Sequence, residues 1–332
     1  MSRLVEPDLS ERFQTALNRL WPEEDRSGPL GLAVSGGPDS LALLLLCQDT
    51  IPGAFAVASV NHGLRPDADK DVALVEKVCR ELDVPFTGLS VEVRGGNVQA
   101  KAREARYAAL AQWALENELG ALATAHHADD QAETLLMRLS RGSGVSGLAG
   151  VRAFSTVPGT DLPLVRPLLD WRKAELEELV AEHIPDPARD PSNSNMTFDR
   201  VRVREHLKTH DWLDANALAT SAEHLAEAWR AIEWYAEMDW EEMVERDGDG
   251  STIRYVANVP RIIQIETVRR IVRELGGVVS RSEAGRAADR LWRGENASLG
   301  GVLAVPTVEP IARVGVEMRV WTFAPEPPRR TH

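Results

Sequence analysis

The chain has 332 residues, of which 43% are hydrophobic and 27% charged, and its formal net charge is −13. This length predicts two or three domains, and the composition is typical of a soluble globular protein. The acidic balance argues against broad, sequence-blind binding to nucleic acid, although it leaves room for a local basic face. No apolar stretch is long enough to span a bilayer and the polar first residues predict no signal peptide, so we expect a cytoplasmic protein. The two cysteines, Cys47 and Cys79, exclude a disulfide framework.

The first strong pattern in chain order is a predicted apolar strand at residues 30–34, followed by the turn 35–40 and an apolar helix. A strand, a glycine turn and a helix N-terminus form an anion site, because unpaired N–H groups point outward and the helix dipole favours negative charge. Gly36 and Gly37 permit left-handed backbone and the close approach of a phosphate. Asp39 can cap the helix or help to hold a metal. The predicted phosphate-binding residues are Ser35, Gly36, Gly37, Pro38, Asp39 and Ser40.

An ordinary capped turn is the competing interpretation of this segment, because glycine pairs are common in turns. The Asp and Ser that follow the glycines, and the wholly apolar strand before them, favour phosphate binding. The turn lacks the GxxxxGK(S/T) pattern, so it is not a Walker-type P-loop. It resembles the SGGxDS loop of the PP-loop ATP pyrophosphatases, which cleave ATP to AMP and pyrophosphate.

Short apolar strands alternate with helical segments in the next part of the chain. Strands are predicted at residues 55–60, 86–93 and 121–125, and helices at residues 68–82, 98–119 and 128–139. Strands separated by helices of this length predict a parallel sheet with right-handed crossovers. Ligands of such sheets bind beyond the carboxyl ends of the strands, where three polar segments emerge, at 35–40, 61–65 and 126–130. We therefore expect these three segments to converge on one crevice.

The segment 124–134, TAHHADDQAET, places two histidines and three acidic residues together after a predicted strand. These residues are His126, His127, Asp129, Asp130 and Glu133. A helix-capping cluster would explain one carboxylate, because negative charge is favoured at a helix N-terminus, but it would not explain the whole set. A catalytic zinc site is a second competing interpretation. The phosphate loop nearby favours Mg²⁺ with ATP, which is a sufficient reason for the carboxylates.

Basic and polar residues mark three further segments. Lys101 and Arg103 lie near the start of a predicted helix, where positive charge is unfavourable unless an anion is close. Arg138 and Arg141 flank the glycine-rich segment 142–150, which suits a mobile lid over a phosphate or an RNA strand, with a plain surface loop as the alternative. His62 follows the second strand and could meet a nucleotide, although a solvent-facing turn would explain it by itself.

The remaining part of the chain is predicted to be largely helical. Helices are predicted at residues 171–183 and 200–208, with an ordered loop at 184–198 between them. From residue 212 a long Ala- and Glu-rich helical stretch runs to about 246 and leads into a second domain. That domain mixes helices at 262–275 and 282–292 with strands at 302–305 and 314–323. The predicted domains are therefore residues 1–211 and 212–332.

Seven segments, in this order, resemble the bacterial tRNA(Ile)-lysidine synthetases of the PP-loop ATP pyrophosphatase superfamily. They cover about residues 30–204 and read SGGPDS, VNHGLR, QAKAREARYAAL, TAHHADDQAET, RLSRGSGVSGL, VRPLL and DPSNSNMTFDRVRVR. The last segment departs from the family pattern at Val201, where the family usually has Asn. The resemblance implies an α/β fold: a parallel-sheet PP-loop domain of the adenine nucleotide alpha hydrolase type, a helical linker and a small α+β C-terminal domain that binds tRNA.

Members of this family use ATP to ligate free L-lysine to carbon 2 of the wobble cytidine of CAU-anticodon tRNA(Ile), through an adenylated tRNA, with release of pyrophosphate and AMP. The resemblance implies roles in catalysis for Lys101, Arg103, Asp129, Asp130 and Glu133. It implies that ATP contacts the loop 35–40 and His62, and that Mg²⁺ binds at Asp39 and Asp130. It implies contacts with tRNA at Arg138, Arg141, Arg200 and Arg204.

Two other functions stay open at this point. A PP-loop tRNA thiolase generally needs catalytic or cluster-binding cysteines, whereas Cys47 and Cys79 are isolated and predicted to be buried. A non-catalytic nucleotide-binding protein would use the same glycine loop without the acidic cluster. No membrane partner is expected, and a homodimer is left open.

Overall fold

The computed structural model describes residues 4–63, 68–92, 98–188, 197, 199–311 and 315–326, without the side chains of residues 98 and 99. The predicted DPSN motif at residues 190–193 and the end of the VNHGLR segment lie outside the described residues. The chain divides into two units, Met1–Ala226 and Glu227–His332. Among the described residues, no helix combines the length and the apolar composition that crossing a membrane requires.

The first unit is built around a mostly parallel sheet. Its strands are β1 (Leu30–Ala33), β2 (Phe55–Asn61), β3 (Phe86–Ser90), β4 (Ala121–Ala123), β5 (Phe154–Thr156) and β6 (Pro163–Val165). In the described part of the chain their order is β3-β2-β1-β4-β6-β5, and only the edge pair of β5 and β6 is antiparallel. Leu30 is in register with Phe55 on one side and Ala121 on the other. The polar segments after β1, β2 and β4 therefore emerge at one edge of the sheet, as predicted.

Helices cover this sheet and set the position of the loop 35–40. They are α1 (Pro7–Leu20), α2 (Pro38–Thr50), α3 (Ala68–Glu81), α4 (Val98–Glu116), α5 (Ala128–Leu139), α6 (Val145–Leu148), α7 (Lys173–Ala181) and α8 (Asp199–Thr209). α2 is buried at every residue from Ser40 to Cys47, as its run of apolar side chains requires. α1 and α7 pack against α2. The loop is thus joined to one of the most buried elements of the unit.

The segment 142–150, predicted as a mobile glycine-rich lid or a plain surface loop, contains the short helix α6. Side chains of α5 bind its second half. Nη1 of Arg138 donates to the carbonyl oxygens of Gly147 (2.5 Å) and Gly150 (3.2 Å). Gln131 exchanges two hydrogen bonds of 2.7 Å with the backbone of Val151. Arg138 therefore has a structural role that the glycine content of the segment did not reveal.

The second unit has its own antiparallel sheet and core. Its elements after the long connecting helix α9 (Ala215–Met243) are β7 (Val244–Arg246), β8 (Ile253–Val256), α10 (Arg261–Glu274), α11 (Arg281–Trp292), β9 (Ala297–Leu299), β10 (Val302–Ile311) and β11 (Val316–Pro325). Their strand order among the described residues is β7-β8-β11-β10-β9. Tyr255, Trp321 and Phe323 are fully buried in its core. The predicted small α+β architecture matches this arrangement.

The division between the units falls inside α9, later than the predicted boundary after residue 211. The first turns of this helix pack with the first unit. Ala222 is fully buried, and Nη1 of Arg152 reaches the carbonyl oxygen of Ala226 at 3.5 Å.

Candidate active site

The loop 35–40 leaves β1 and enters α2 through two glycines with different backbones. Gly36 has a φ of +86°, in the left-handed region, and a Cβ there would lie 3.2 Å from the carbonyl oxygen of Asp71. Gly37 has a φ of −74°, which any residue can adopt. A Cβ at Gly37 would make only ordinary contacts, the nearest at 3.7 Å from Oγ of Ser35. Gly36 therefore adopts the left-handed backbone that glycine permits, whereas Gly37 does not, so the fold itself does not require glycine at residue 37.

Two serines brace this loop. Oγ of Ser40 accepts from the backbone N–H of Ser35 (3.1 Å), donates to the carbonyl oxygen of Gly37 (2.9 Å) and lies 3.2 Å from Oγ of Ser35. Gly37 is the N-cap of α2 and makes no side-chain cap. The start of α2 is therefore open to an anion, which its N–H groups and its dipole favour.

His127 joins the loop to the acidic cluster. Its imidazole is buried, and Nε2 lies 3.5 Å from Oδ2 of Asp39 in α2 and 3.5 Å from Oδ2 of Asp130 in α5. His127 is also the N-cap of α5, where Nδ1 accepts a long hydrogen bond from the backbone N–H of Asp130 (3.4 Å). This hydrogen-bonding pattern assigns the proton of the neutral ring to Nε2. The expected convergence of segments 35–40 and 126–130 is confirmed.

The charges around His127 shift the pKa values of this cluster in opposite directions. Burial alone would lower the pKa of His127, but its hydrogen bond with Asp39 and the charges of Asp130, Asp39 and Asp129 outweigh it and raise the pKa. A second proton would bind to Nδ1, which lies 3.8 Å from Oδ2 of Asp129. The hydrogen bond that Nδ1 accepts from the backbone N–H of Asp130 would then be lost. Burial alone would raise the pKa of Asp130, but the positive charges of His127 and Arg200 hold it below the usual range.

Two arginines of α8 neutralise the acids of α5. Arg200 donates from Nε to Glu133 (2.5 Å) and from Nη2 to Asp130 (2.6 Å), and Arg204 donates from Nε to Glu133 (2.6 Å). Glu133 is only 1% exposed, so its charge depends on these partners. The predicted contacts of Arg200 and Arg204 with tRNA stay predictions, but both charges are already matched inside the site. Val201, between them, is buried.

Asp129 holds α7 in place. Oδ1 accepts from Nη2 of Arg172 (3.1 Å), and Oδ2 accepts from Nε of Arg172 (3.2 Å) and from the backbone N–H of Lys173 (2.8 Å). Burial alone would raise the pKa of Asp129, but these hydrogen bonds and the Arg172 charge hold it low. The bond to Lys173 satisfies an N–H group in the first turn of α7. These contacts give Asp129 a structural role, and its predicted catalytic role stays a prediction.

A group of cations surrounds Tyr107 and His126 on another side of the cluster. Nη2 of Arg103 lies 3.4 Å from the Tyr107 hydroxyl, and the guanidinium of Arg106 lies 5.3 Å from the ring centroid. Arg166 directly follows β6, is 5% exposed, and its buried Nε has no partner among the described residues. Burial lowers the pKa of His126 to about 3, with Asp130 opposing the shift and the arginines adding to it, so the imidazole is neutral. Arg103 was predicted at the site, whereas Arg106 and Arg166 were missed.

Three other predicted residues lie after β2, in α4 and after α5. His62 follows β2 at the same edge of the sheet as the loop 35–40. Lys101 is exposed in the first turns of α4. Arg141 is 60% exposed and pairs with Asp199 at 2.7 Å.

The chemistry of these side chains fits Mg²⁺ better than zinc. In the part of the chain that the structure describes, no three His, Cys, Asp or Glu side chains are arranged to hold a metal by themselves. Oδ1 of Asp39, however, is buried and accepts no hydrogen bond from any described residue. Mg²⁺ commonly takes one or two carboxylates and completes its octahedron with phosphate oxygens and water, whereas a zinc site needs three or four protein ligands. The free oxygen of Asp39 therefore fits a Mg²⁺ ion that arrives with a nucleotide.

Comparison with known proteins supports this interpretation of the first unit. Residues 9–210 match the family model of a PP-loop domain. The chain is 43% identical over 313 residues to the tRNA(Ile)-lysidine synthase of Novosphingobium aromaticivorans, covering 94% of this chain and 93% of that protein. It is 38% identical over 310 residues to the tRNA(Ile)-lysidine synthase of Zymomonas mobilis, covering 92% of this chain and 90% of the relative.

A similar solved structure is the U34-tRNA thiolase NcsA of Methanococcus maripaludis with its 4Fe-4S cluster. It aligns with a TM-score of 0.53 at 17% identity over 67% of this chain and 81% of that one, which shows a shared fold. Sulfur chemistry has no support here, because Cys47 and Cys79 are both buried and burial raises the pKa of the Cys79 thiol to about 12. From the matched domain and the extent of the identity, the chain belongs to the tRNA(Ile)-lysidine synthase family and carries its PP-loop domain.

Proposed function

We propose that this protein uses ATP to join free lysine to carbon 2 of the wobble cytidine of a CAU-anticodon isoleucine tRNA, in the cytoplasm. Family membership supports the reaction. One observation supports its assignment to these residues: His127 lies 3.5 Å from both Asp39 of the phosphate loop and Asp130 of the acidic cluster. An environment for an anion and an environment for a cation thus adjoin at one edge of the sheet. A reaction between a triphosphate and an amine needs this pair of environments.

The first step is adenylation of the tRNA. The carbon-2 oxygen of the cytidine attacks the α-phosphorus of ATP, and the bond to pyrophosphate breaks. The open start of α2 and the serine hydroxyls of the loop 35–40 receive the phosphates, with His62 beside the nucleotide. Gly37 lets a phosphate approach the backbone, which explains a glycine that the fold does not require.

Charge on the phosphates is offset from two sides in this step. Arg103 lies in the group of cations around Tyr107, and Lys101 lies in the first turns of the same helix. Asp39, with Asp130 across His127, would hold Mg²⁺, which neutralises phosphate charge and orients the nucleotide when it is bound.

The second step is attack of the lysine ε-amine on carbon 2, with AMP as the leaving group. Asp130 keeps its negative charge because its pKa is held low, so it attracts the incoming ammonium. The ammonium gives up a proton to a nearby carboxylate or histidine before attack, since only the neutral amine is a nucleophile. Glu133 accepts hydrogen bonds from Arg200 and Arg204. We therefore propose that Glu133 positions these two arginines and that Arg200 in turn positions Asp130.

The direct test is incubation of the full chain with ATP, radiolabelled lysine and an unmodified transcript of the CAU-anticodon isoleucine tRNA. We expect one labelled lysine per RNA, with one AMP and one pyrophosphate released. The matched control is the methionine tRNA with the same anticodon, which should stay unlabelled. ATP binding without label would support a nucleotide-binding protein, and a thiolated base would support a thiolase; either result contradicts the proposal.

A further inference from the structure

Three exposed aromatic side chains form a row at and beyond the end of α8. His206 and His210 lie one helical turn apart, with ring centroids separated by 5.5 Å. The Trp212 ring lies 6.5 Å from that of His210 and perpendicular to it. Trp212 is 74% exposed, and both histidines are exposed. Core packing does not account for these rings, which we call the aromatic row.

Cations border the aromatic row. Arg202 of α8 and Arg141 at the end of α5 have exposed side chains, at 59% and 60%. They share one carboxylate, that of Asp199, at 2.6 and 2.7 Å. Because one carboxylate serves two guanidinium groups, N–H donors on both arginines are left for a further anion.

A depression of about 290 Å³ between α5 and α8 adjoins this row. Met137 and Val203 give it an apolar surface, and Arg141, Arg202 and His206 also line it. An apolar surface with cationic donors around it suits a flat heteroaromatic group that carries a phosphate. The same helix, α8, carries the two arginines that hold the acidic cluster, so a ligand here would be linked to the active site by one rigid element.

We propose that the aromatic row and the adjoining depression bind unpaired bases of the RNA substrate, with Trp212 as the main stacking surface. The inference rests on the proposed function only in taking RNA as the substrate. Unpaired bases stack on exposed rings while Arg and Lys contact their phosphates. The rings alternate with charged side chains and do not form a continuous apolar patch, which favours RNA over a second copy of this chain.

The test compares RNA binding by Trp212→Ala, Trp212→Phe and Trp234→Ala in the full chain. Trp234 is a matched control, because it is also an exposed tryptophan, at 66%, but lies outside the row. The probe is the unmodified CAU-anticodon isoleucine transcript, compared with a fully paired RNA duplex of equal length. Thermal unfolding and ATP binding confirm that each variant is folded.

We expect Trp212→Ala to raise the Kd for the transcript about tenfold, the loss of one stacked base, and to leave the Kd for the duplex unchanged. Trp212→Phe should retain most of the affinity, and Trp234→Ala should match the wild type. Equal affinity of Trp212→Ala and wild type for the transcript would overturn the inference, as would an equal loss for transcript and duplex. A dimer that dissociates in Trp212→Ala with unchanged RNA affinity would assign the row to a second copy of the chain.

The salt dependence separates stacking from phosphate contact. Trp212→Ala should leave the slope of log K against log salt unchanged, whereas Arg202→Gln should lower it by about one unit. A steeper loss of slope in Trp212→Ala than in Arg202→Gln would contradict the assignment. If the wild type binds the transcript but forms no lysidine, the proposed function fails and the inference about RNA binding stands by itself.

Discussion

Two helix N-termini meet at the candidate active site. They differ in whether a side chain of the protein caps their first N–H groups. α2 begins at Gly37, which makes no side-chain cap. α5 begins at His127, whose imidazole and the Asp130 carboxylate form a reciprocal capping box. The first terminus leaves its N–H groups to a ligand, whereas the second is closed by its own side chains.

The difference explains how neighbouring helix dipoles can serve ligands of opposite charge. Both dipoles favour an anion. At α2 the anion comes from outside, and we assign that place to the phosphates of ATP. At α5 the chain supplies the anions itself, as Asp129 and Asp130. Asp129 is bound by Arg172 and the backbone of Lys173, and we assign the attraction of a cation to Asp130. A triphosphate and an amine can therefore be held side by side at one sheet edge.

The largest expected effect comes from removing the negative charge at α5. Asp130→Asn should slow lysidine formation about a thousandfold, because the ammonium loses its charged partner and Arg200 loses one acceptor. Asp129→Asn is the matched comparison, and it should lower stability by weakening the bonds to Arg172. A rate per folded molecule close to wild type would assign Asp129 a structural role alone, whereas a large loss of rate would support its predicted catalytic role. Rates are measured with labelled lysine at saturating ATP. A near wild-type rate for Asp130→Asn would contradict the assignment.

The two glycines before α2 should have different effects when substituted: Gly36 on stability and Gly37 on the binding of ATP. Gly36→Ala should lower the free energy of unfolding by about 2 kcal/mol, because it combines positive φ with a Cβ contact of 3.2 Å to the carbonyl oxygen of Asp71. Gly37→Ala should leave unfolding unchanged and raise the Kd for ATP about tenfold through steric conflict with a phosphate. Chemical denaturation and nucleotide titration measure the two quantities. Unchanged ATP affinity in Gly37→Ala would refute the close approach of a phosphate.

The ion pairs between α5 and α8 should also contribute to stability. Arg204→Met should lower the free energy of unfolding by about 2 kcal/mol, because Glu133 is buried and loses one of two partners. Arg202→Met, on the same helix, breaks an exposed pair with Asp199 and should cost less than about 0.5 kcal/mol. Equal losses in the two variants would show that Glu133 does not depend on Arg204.

The smallest effect is a pH dependence from the N-cap of α5. The folded pKa of His127 is raised above its unfolded value of about 6.5 by Asp39, Asp130 and Asp129 against the effect of burial. The protonated imidazole of His127 therefore stabilises the fold fully below about pH 6.5, and this contribution is lost as pH rises through the folded pKa. His127→Gln should remove this part of the pH dependence of unfolding. An identical pH profile in variant and wild type would contradict the raised pKa.

The parallel sheet could be predicted from the sequence, and so could the motifs at residues 35–40 and 124–134. Each of these motifs follows an apolar strand and leads into a helix. The sequence did not predict the contact between His127 and Asp39, which depends on β1 and β4 being neighbours in the sheet although they are far apart in the chain. Arg166 lies in the VRPLL segment but was not predicted at the site, because its approach to His126 depends on β4 and β6 being neighbours in the sheet. The sequence could not show that Gly36 has a positive φ and Gly37 does not, because a glycine that admits a ligand and a glycine required by its φ look the same in a sequence.

The central claim is that the phosphate loop and the acidic cluster act on one reaction, and a double-mutant cycle tests it most directly. The rate of lysidine formation is measured for wild type, Asp39→Asn, Asp130→Asn and the double variant, with ATP and tRNA saturating. Residues that serve one reaction centre give strongly non-additive losses, so the double variant should be little slower than the slower single variant. Losses that multiply independently would contradict a shared site.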